Sequence, residues 1–401
     1  MKVALRTVAA GGVMLLVSLA ACGQEPAATE ASADGGAATD SPATDSPTAD
    51  SATAAAGGTE AAAACSTPLQ PVYDELEGLE GQAWVDRLAE LAAEEEGDFT
   101  WYTSTTSTDS GPIAEAFTDQ YGIDVSLYRA SAEDVLQRLL QEATAGYAGA
   151  DVVNASATQM QILDREGLLV PFESPAKDEI IEVASFDTWA GFYLSVFAAQ
   201  WNTDLISEAP ESWEQVLTGY GGQLPLALEL SDWDWFATLV QEHFMAQEGM
   251  TEEEAIELFR EAASLATVVS GHTNMVQLLT SGEFAVATSG YVHSGNELRA
   301  SGAPLEWEPP VEPLIARPNG IGLYCGTDRP ATALLFVNFA LGPAQEMLAE
   351  FGRTPANPQY GGIPEEYELI TVNPDELLDQ REKWSGLYQE IIRLSGEPVV
   401  E

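Results

Sequence analysis

Hydroxyl, imidazole and indole side chains recur in this chain where a strand-like run gives way to a helix-like one. Ser104, Thr105 and Thr106 follow one such run, Asn154 and Ser156 follow another, and Arg129 ends a third. Farther on, Trp233 and Trp235 stand in Ser231-Asp-Trp-Asp-Trp235, His272 in Gly271-His-Thr273, and Tyr291 and His293 just after the strand-like residues 284–287. Loops of this kind, backed by the N–H groups and positive end of a following helix, suit phosphate, phosphonate or carboxylate oxygens. Arg129 has two readings, pairing with that anion or forming a salt bridge with Glu133. Ser and Thr at a helix start also serve simply as caps. Two tryptophans one residue apart diverge at a helix start, so at most one faces a ligand, stacking on a sugar or other planar body, and the other is core. His272 sits between Gly and Thr rather than on an apolar face, which favours a polar role. His243 lies on an ordinary helix and is given none.

These residues read as a binding set rather than a catalytic one. No Gly-x-Ser-x-Gly, His-Glu-x-x-His, Cys-x-x-Cys or phosphate-loop pattern is present. Gly320-Ile-Gly322 is a glycine pair without the rest of a dinucleotide fingerprint. Among 64 acidic residues any one carboxylate pair is uninformative about acid–base catalysis.

The elements that position the set alternate between strand and helix. Residues 82–96 carry Trp84, Leu88, Leu91 and Ala92 at helical spacing, and 99–103 read as a strand. Pro112 is expected to open a helix through Ile113, Phe117 and Tyr121 that closes at Gly122. Ile123, Val125 and Leu127 alternate as a strand. Ser131-Ala-Glu-Asp134 resembles a capping box before the helix of Val135, Leu136, Leu139 and Leu140, which Gly146 stops. A strand at 151–153 and a helix at 158–166 complete a β-α-β-α-β series, hence a parallel sheet with helices on both faces. A second βα region runs from about 192 past 305 and includes a helix over 251–266 with a Thr251-x-x-Glu254 box. A strand over 321–324, a helix over 331–341 and a closing helix over 375–394 follow. No internal repeat is present.

Composition narrows the setting. The 401 residues carry a formal net charge of −49 with 15 basic side chains, which argues against nucleic acid and anionic headgroups as partners. An acidic, Lys-poor, Ala-rich chain fits a high-salt habitat, where counterions screen self-repulsion, and equally a GC-rich genome. The charged start Met1, Lys2 and Arg6 and the apolar run 13–19 have the layout of a secretory signal peptide, too short to span a bilayer. Leu19-Ala20-Ala21-Cys22 resembles the lipobox of bacterial lipoproteins, which implies cleavage before Cys22, lipid on its sulfur, and a body held on the extracytoplasmic face of a membrane. Residues 23–64 are Ala, Thr, Ser, Pro, Gly and Asp with almost nothing large to bury, the composition of a disordered tether. As a coil it reaches about 35–40 Å. With Cys22 acylated, Cys65 and Cys325 remain, either as a disulfide or as two free buried thiols.

A series of segments resembles the bacterial solute-binding proteins that feed ABC importers, in the iron(III)-type branch. They are Trp101-Tyr-Thr-Ser-Thr105, Phe117-Thr-Asp-Gln-Tyr-Gly-Ile123, Tyr128-Arg-Ala-Ser-Ala-Glu-Asp134, Gln137-Arg-Leu-Leu-Gln-Glu142, Ala150-Asp-Val-Val153 and Gly167-Leu-Leu-Val-Pro171. Trp201-Asn-Thr-Asp204, Pro210-Glu-Ser-Trp213, Gly282-Glu-Phe284, Ala316-Arg-Pro-Asn-Gly320 and Ala333-Leu-Leu-Phe-Val-Asn-Phe339 follow in order. The resemblance implies an α/β, two-lobed type 2 periplasmic-binding-protein fold, hinge-joined, with the ligand between the lobes. It places a signal peptide at 1–21, a tether at 22–64, one lobe at 65–197 and 312–352, and the other at 198–311 and 353–401.

The family's iron ligands, adjacent tyrosines in the second lobe with a His and a Glu from the first, fall near Tyr291-Val292-His293, Thr106 and Ser156. Hydroxyls thus stand where a carboxylate is expected, a poor set for ferric ion, which wants several hard anionic oxygens. The expected cargo is a small anionic solute, bound without a cofactor and passed to a membrane permease by a monomer that breaks no bond. The alternatives are iron or a ferric complex, with Tyr291 and His293 as ligands, and a sensor lipoprotein that does not transport.

Overall fold

Alternation of short apolar runs with amphipathic ones produces α/β topology in the computed structural model, which describes residues 69–395. The principal strands are β1 (Phe99–Thr103), β2 (Val125–Arg129), β3 (Val152–Ser156), β4 (Ala190–Asn202), β5 (Leu226–Glu229), β6 (Ala266–Val269), β7 (Val286–Tyr291) and β8 (Leu314–Tyr324). They lie in the order β2-β1-β3-β8-β4-β7-β5-β6, with four two- or three-residue strands paired alongside. β2, β1 and β3 run parallel on one flank, and β7, β5 and β6 run parallel on the other. Between the flanks, β4 and β8 pair antiparallel with each other and with their neighbours. All thirteen residues of β4 are buried, as a strand at the centre of such a sheet requires.

The helices that matter for the site are α1 (Ser107–Tyr121), α2 (Ala157–Arg165), α3 (Trp233–Thr238), α4 (Glu252–Leu265), α5 (His272–Ser281), α6 (Val292–Ala300), α7 (Pro330–Leu341) and α8 (Arg381–Ile392). Each flank has its own core. Phe99, Trp101, Phe117, Phe192 and Phe336 pack on one side, with α7 buried on every face. Trp213, Trp235, Phe236, Phe259 and Trp384 pack on the other. Edge-on ring contacts, such as Phe236 to Phe259 at 4.7 Å, fill the second core.

Three expectations shift. Pro112 lies inside α1, which starts at Ser107, so it forgoes one turn bond instead of opening the helix. Thr106 is therefore the residue that precedes the helix, and the hydroxyl run 104–106 leads straight into it. β8 begins seven residues before the expected strand and runs through Pro318, opposite Leu194, with a bulge at Asn319/Gly320. A proline and a register shift together interrupt the alternation that marks a strand. The closing helix is two, Pro374–Asp379 and α8, broken at Gln380. By contrast both halves of the Thr251/Glu254 capping box form. The segment 1–21, Cys22, the stretch 22–64 and Cys65 lie outside the described residues. Cys325 is buried and disulfide-bonded. Among the described residues no helix is long and apolar enough to cross a membrane.

Candidate functional site

The parallel flanks direct the carboxyl ends of β1, β3, β5, β6 and β7 into loops that meet β4 and β8, the arrangement in which open α/β sheets hold ligands. From the first flank, Ser104, Thr105 and Thr106 leave β1. The Ser104 hydroxyl accepts from Asn319 Nδ2 of β8 at 3.4 Å. Thr105 Oγ1 donates to Asn154 Oδ1 at 2.7 Å and meets the Tyr193 hydroxyl of β4 at 3.4 Å. Asn154 is fully buried, donates to Asn319 and to the Gly320 carbonyl, and accepts from Thr103 and Thr105. It organises the floor rather than facing open space. Ser156, half-buried at the start of α2, stands opposite Asn319 in the ladder.

From the second flank, Tyr291 ends β7 and stacks on His272 at 4.1 Å, with His293 stacked beyond it at 5.1 Å. Phe197 of β4 packs against both Tyr291 and His272. Gly271, at φ +84°, takes the left-handed turn that sets His272 as the first residue of α5. Its N–H donates to the buried carboxylate of Glu229 at 3.0 Å.

Two arginines tie these halves together. Arg317 of β8 donates to both oxygens of Asp234 at 3.1 Å and to the Tyr291 hydroxyl at 2.9 Å. Arg353 pairs with Asp109 of α1 at 2.7 Å and meets His293 Nε2 of α6 at 2.7 Å, so it touches elements of both flanks. It also reaches Thr106 Oγ1 at 3.4 Å and lies over the Tyr193 ring.

The two histidines differ in state. Burial opposes a charged His272, but the Asp232 carboxylate, 2.9 Å from Nε2, outweighs it and raises the imidazole above its ordinary value. Asp232 is pushed up by burial yet held below its ordinary value by His272 and Arg317. This is a buried ion pair with the proton on Nε2. At His293, burial and then the Arg353 charge lower the pKa to about 3. Arginine only donates, so Nε2 of His293 accepts and its own proton sits on Nδ1. Burial pushes the Tyr291 phenol up to about 12 against the pull of Arg317. Arg317 itself is raised, burial being overcome by Asp234.

Ser104, Thr105, Thr106, Tyr291, His272 and His293 thus share one region with Arg317, Arg353 and Tyr193. Arg129 does not join them. It is exposed on the outermost strand of its flank, opposite Thr103, and forms no ion pair among the described residues. Trp235 is core, edge-on to Trp213 and Phe259, while Trp233 is half-buried at the start of α3. Sequence reading missed Arg317, Arg353, Asp109, Asp232, Asp234 and Tyr193 as site residues. Four of these are hidden by abundance or by apolar neighbours. The arginines carried a usable signal, since only 15 basic residues occur in the chain and Arg317 lies in an apolar strand.

A family model described as bacterial extracellular solute-binding protein matches residues 102–347. No curated protein is matched by sequence. Among solved structures, the periplasmic binding protein AfuA from Actinobacillus pleuropneumoniae, with fructose-6-phosphate bound, is similar with a TM-score of 0.62 at 19% identity, covering 75% of this chain and 100% of that one. Iron-bound HitA from Pseudomonas aeruginosa gives 0.60 at 16%, covering 75% and 100%. The Atu4243 GABA receptor gives 0.63 at 17%, covering 74% and 98%. These neighbours share the two-lobed α/β fold. With the matched residues spanning most of both flanks, this chain belongs to the bacterial extracellular solute-binding protein family.

Proposed function

We propose that this solute-binding protein captures a small anionic molecule between its two flanks and delivers it to an ABC permease. The observation that carries the reading is the placement of two largely buried arginines in a chain of net charge −49, Arg353 beside the Thr106 hydroxyl that leads into α1 and Arg317 beside Tyr291. Guanidinium forks and a helix start match phosphate, phosphonate or carboxylate oxygens. Ser104, Thr106 and Ser156 add hydroxyls, and half-buried Trp233 offers a face to a sugar or other planar body. Catalysis has no part in this reading: selectivity comes from tighter binding to the closed arrangement. The lipobox-like Leu19–Cys22 supports an anchor on the extracytoplasmic face, with 22–64 as tether to the permease.

A tyrosinate iron site fits less well. The Tyr291 hydroxyl accepts from Arg317 and resists deprotonation, and His293 Nε2 is engaged by Arg353. The test is calorimetric titration with fructose-6-phosphate, simple phosphonates, dicarboxylates and ferric citrate in the presence of EDTA. We expect micromolar or tighter binding by at least one phosphate, phosphonate or carboxylate compound, and at least tenfold weakening in Arg353→Gln. Binding confined to ferric iron, with a visible tyrosinate charge-transfer band, overturns the reading.

A further inference from the structure

The second flank holds a carboxylate that the anion reading does not use. Glu229, at the end of β5, is 3% exposed, and among the described residues it has no ion-pair partner. Among the described residues its oxygens accept from the Gly271 and Ser231 N–H groups and the Ser231 hydroxyl. The neighbouring charges are already matched, Arg317 with Asp234 and His272 with Asp232. Charged His272 is shared between Asp232 and Glu229, and two buried carboxylates against one imidazolium are costly. One ligand atom each from Glu229, Asp232 and His272 lies within 4.8 Å of the others, and all three residues are buried. Ser289 of β7 is fully buried beside Asp232, and its hydroxyl meets no partner at hydrogen-bond geometry.

We propose that Glu229, Asp232 and His272, with the Ser289 hydroxyl alongside, form a site for a divalent transition-metal cation of the Zn²⁺ or Mn²⁺ type. One imidazole nitrogen and two carboxylates are a borderline ligand set that suits such ions better than Ca²⁺, which takes six to eight oxygens. The ring is oriented for it, since stacking on Tyr291 holds His272 with Nε2 toward both Asp232 oxygens. The ligands come from the end of β5, the residue before α3 and the first residue of α5, so a bound ion would tie these elements to one another. The ligand set uses neither Tyr291 nor His293, the positions onto which the family's iron ligands fall, although His272 stacks on Tyr291.

The full chain, stripped with EDTA, is titrated with ZnCl₂ and MnCl₂ in 0.5 M NaCl, which screens the surface carboxylates. The expected result is one equivalent bound by calorimetry, weakened at least 100-fold in His272→Asn and in Glu229→Gln, and unchanged in His243→Asn. Because those variants remove buried partners, imidazole ¹⁵N spectra of the wild-type protein provide a second readout. The chain has three histidines, and Zn²⁺ should move the Nε2 resonance of His272 while leaving His243 and His293 in place. Absence of a one-equivalent site, equal affinity in a folded His272→Asn, or a shift at His293 instead of His272 overturns the proposal. Anion binding measured in EDTA stands or falls separately.

Discussion

His272 and His293 stack on Tyr291, yet their surroundings set them in opposite protonation states. His293 keeps its lone pair for Arg353 and is held neutral down to about pH 3, whereas in the unfolded chain it takes a proton near its ordinary value of about 6.5. Between those two values the unfolded state binds the proton and the folded state does not, so the stability present above about pH 6.5 is lost as pH falls toward 3. At pH 4 this loss is about 3 kcal/mol. Urea unfolding at pH 7 and pH 4 should therefore show a steeper acid loss in the wild type than in His293→Asn, which retains an acceptor for Arg353. Parallel losses in the two proteins would contradict the buried His293–Arg353 contact. At this scale the sequence marked the hydroxyls of 104–106, Tyr291, His272 and His293 as polar side chains where apolar strands end, and the fold brings them near one another. It concealed Asp109, Asp232 and Asp234, since nothing local separates a buried aspartate from the many on the surface.

Elements were legible wherever one signal dominated. The β-α-β-α-β series emerges from apolar alternation followed by helical spacing, and the left-handed Gly122 closes α1 as its position suggests. Thr251 caps α4 and Glu254 returns the bond, both halves of a box visible as Thr-x-x-Glu. Thr251→Ala should lower folding stability by about 1 kcal/mol with an unchanged denaturant slope, measured by urea unfolding. No change would mean that α4 is held by its packing against α8 and the Phe259 contacts alone. Elements were illegible where two signals conflicted. Pro112 suggested a start yet sits inside α1, because the turn from Ser107 to Gly111 has little apolar periodicity of its own. The strand expected at 321–324 extends back through Pro318 and past a bulge, because both neighbouring strands continue to pair. Long-range pairing of this kind leaves no mark in a local window.

Across the whole molecule, two parallel flanks with separate cores are joined through the long antiparallel strands β4 and β8. The region where they meet gathers Arg317, Arg353 and charged His272, each balanced by a buried aspartate, so an anion there would be read by guanidinium and hydroxyl donors rather than drawn in by a net positive field. Arg353 contacts α1 and α6 at once, so its guanidinium bridges the two flanks. The most direct test of an anionic solute held by the two arginines is a crystal structure of the protein as purified, without added ligand. The account predicts density for a small phosphate-, phosphonate- or carboxylate-bearing molecule, with its oxygens within hydrogen-bond distance of Arg317 or Arg353 and near Ser104–Thr106. A metal ion bound to the Tyr291 phenolate, or a solute seated there with no anionic group, would contradict it.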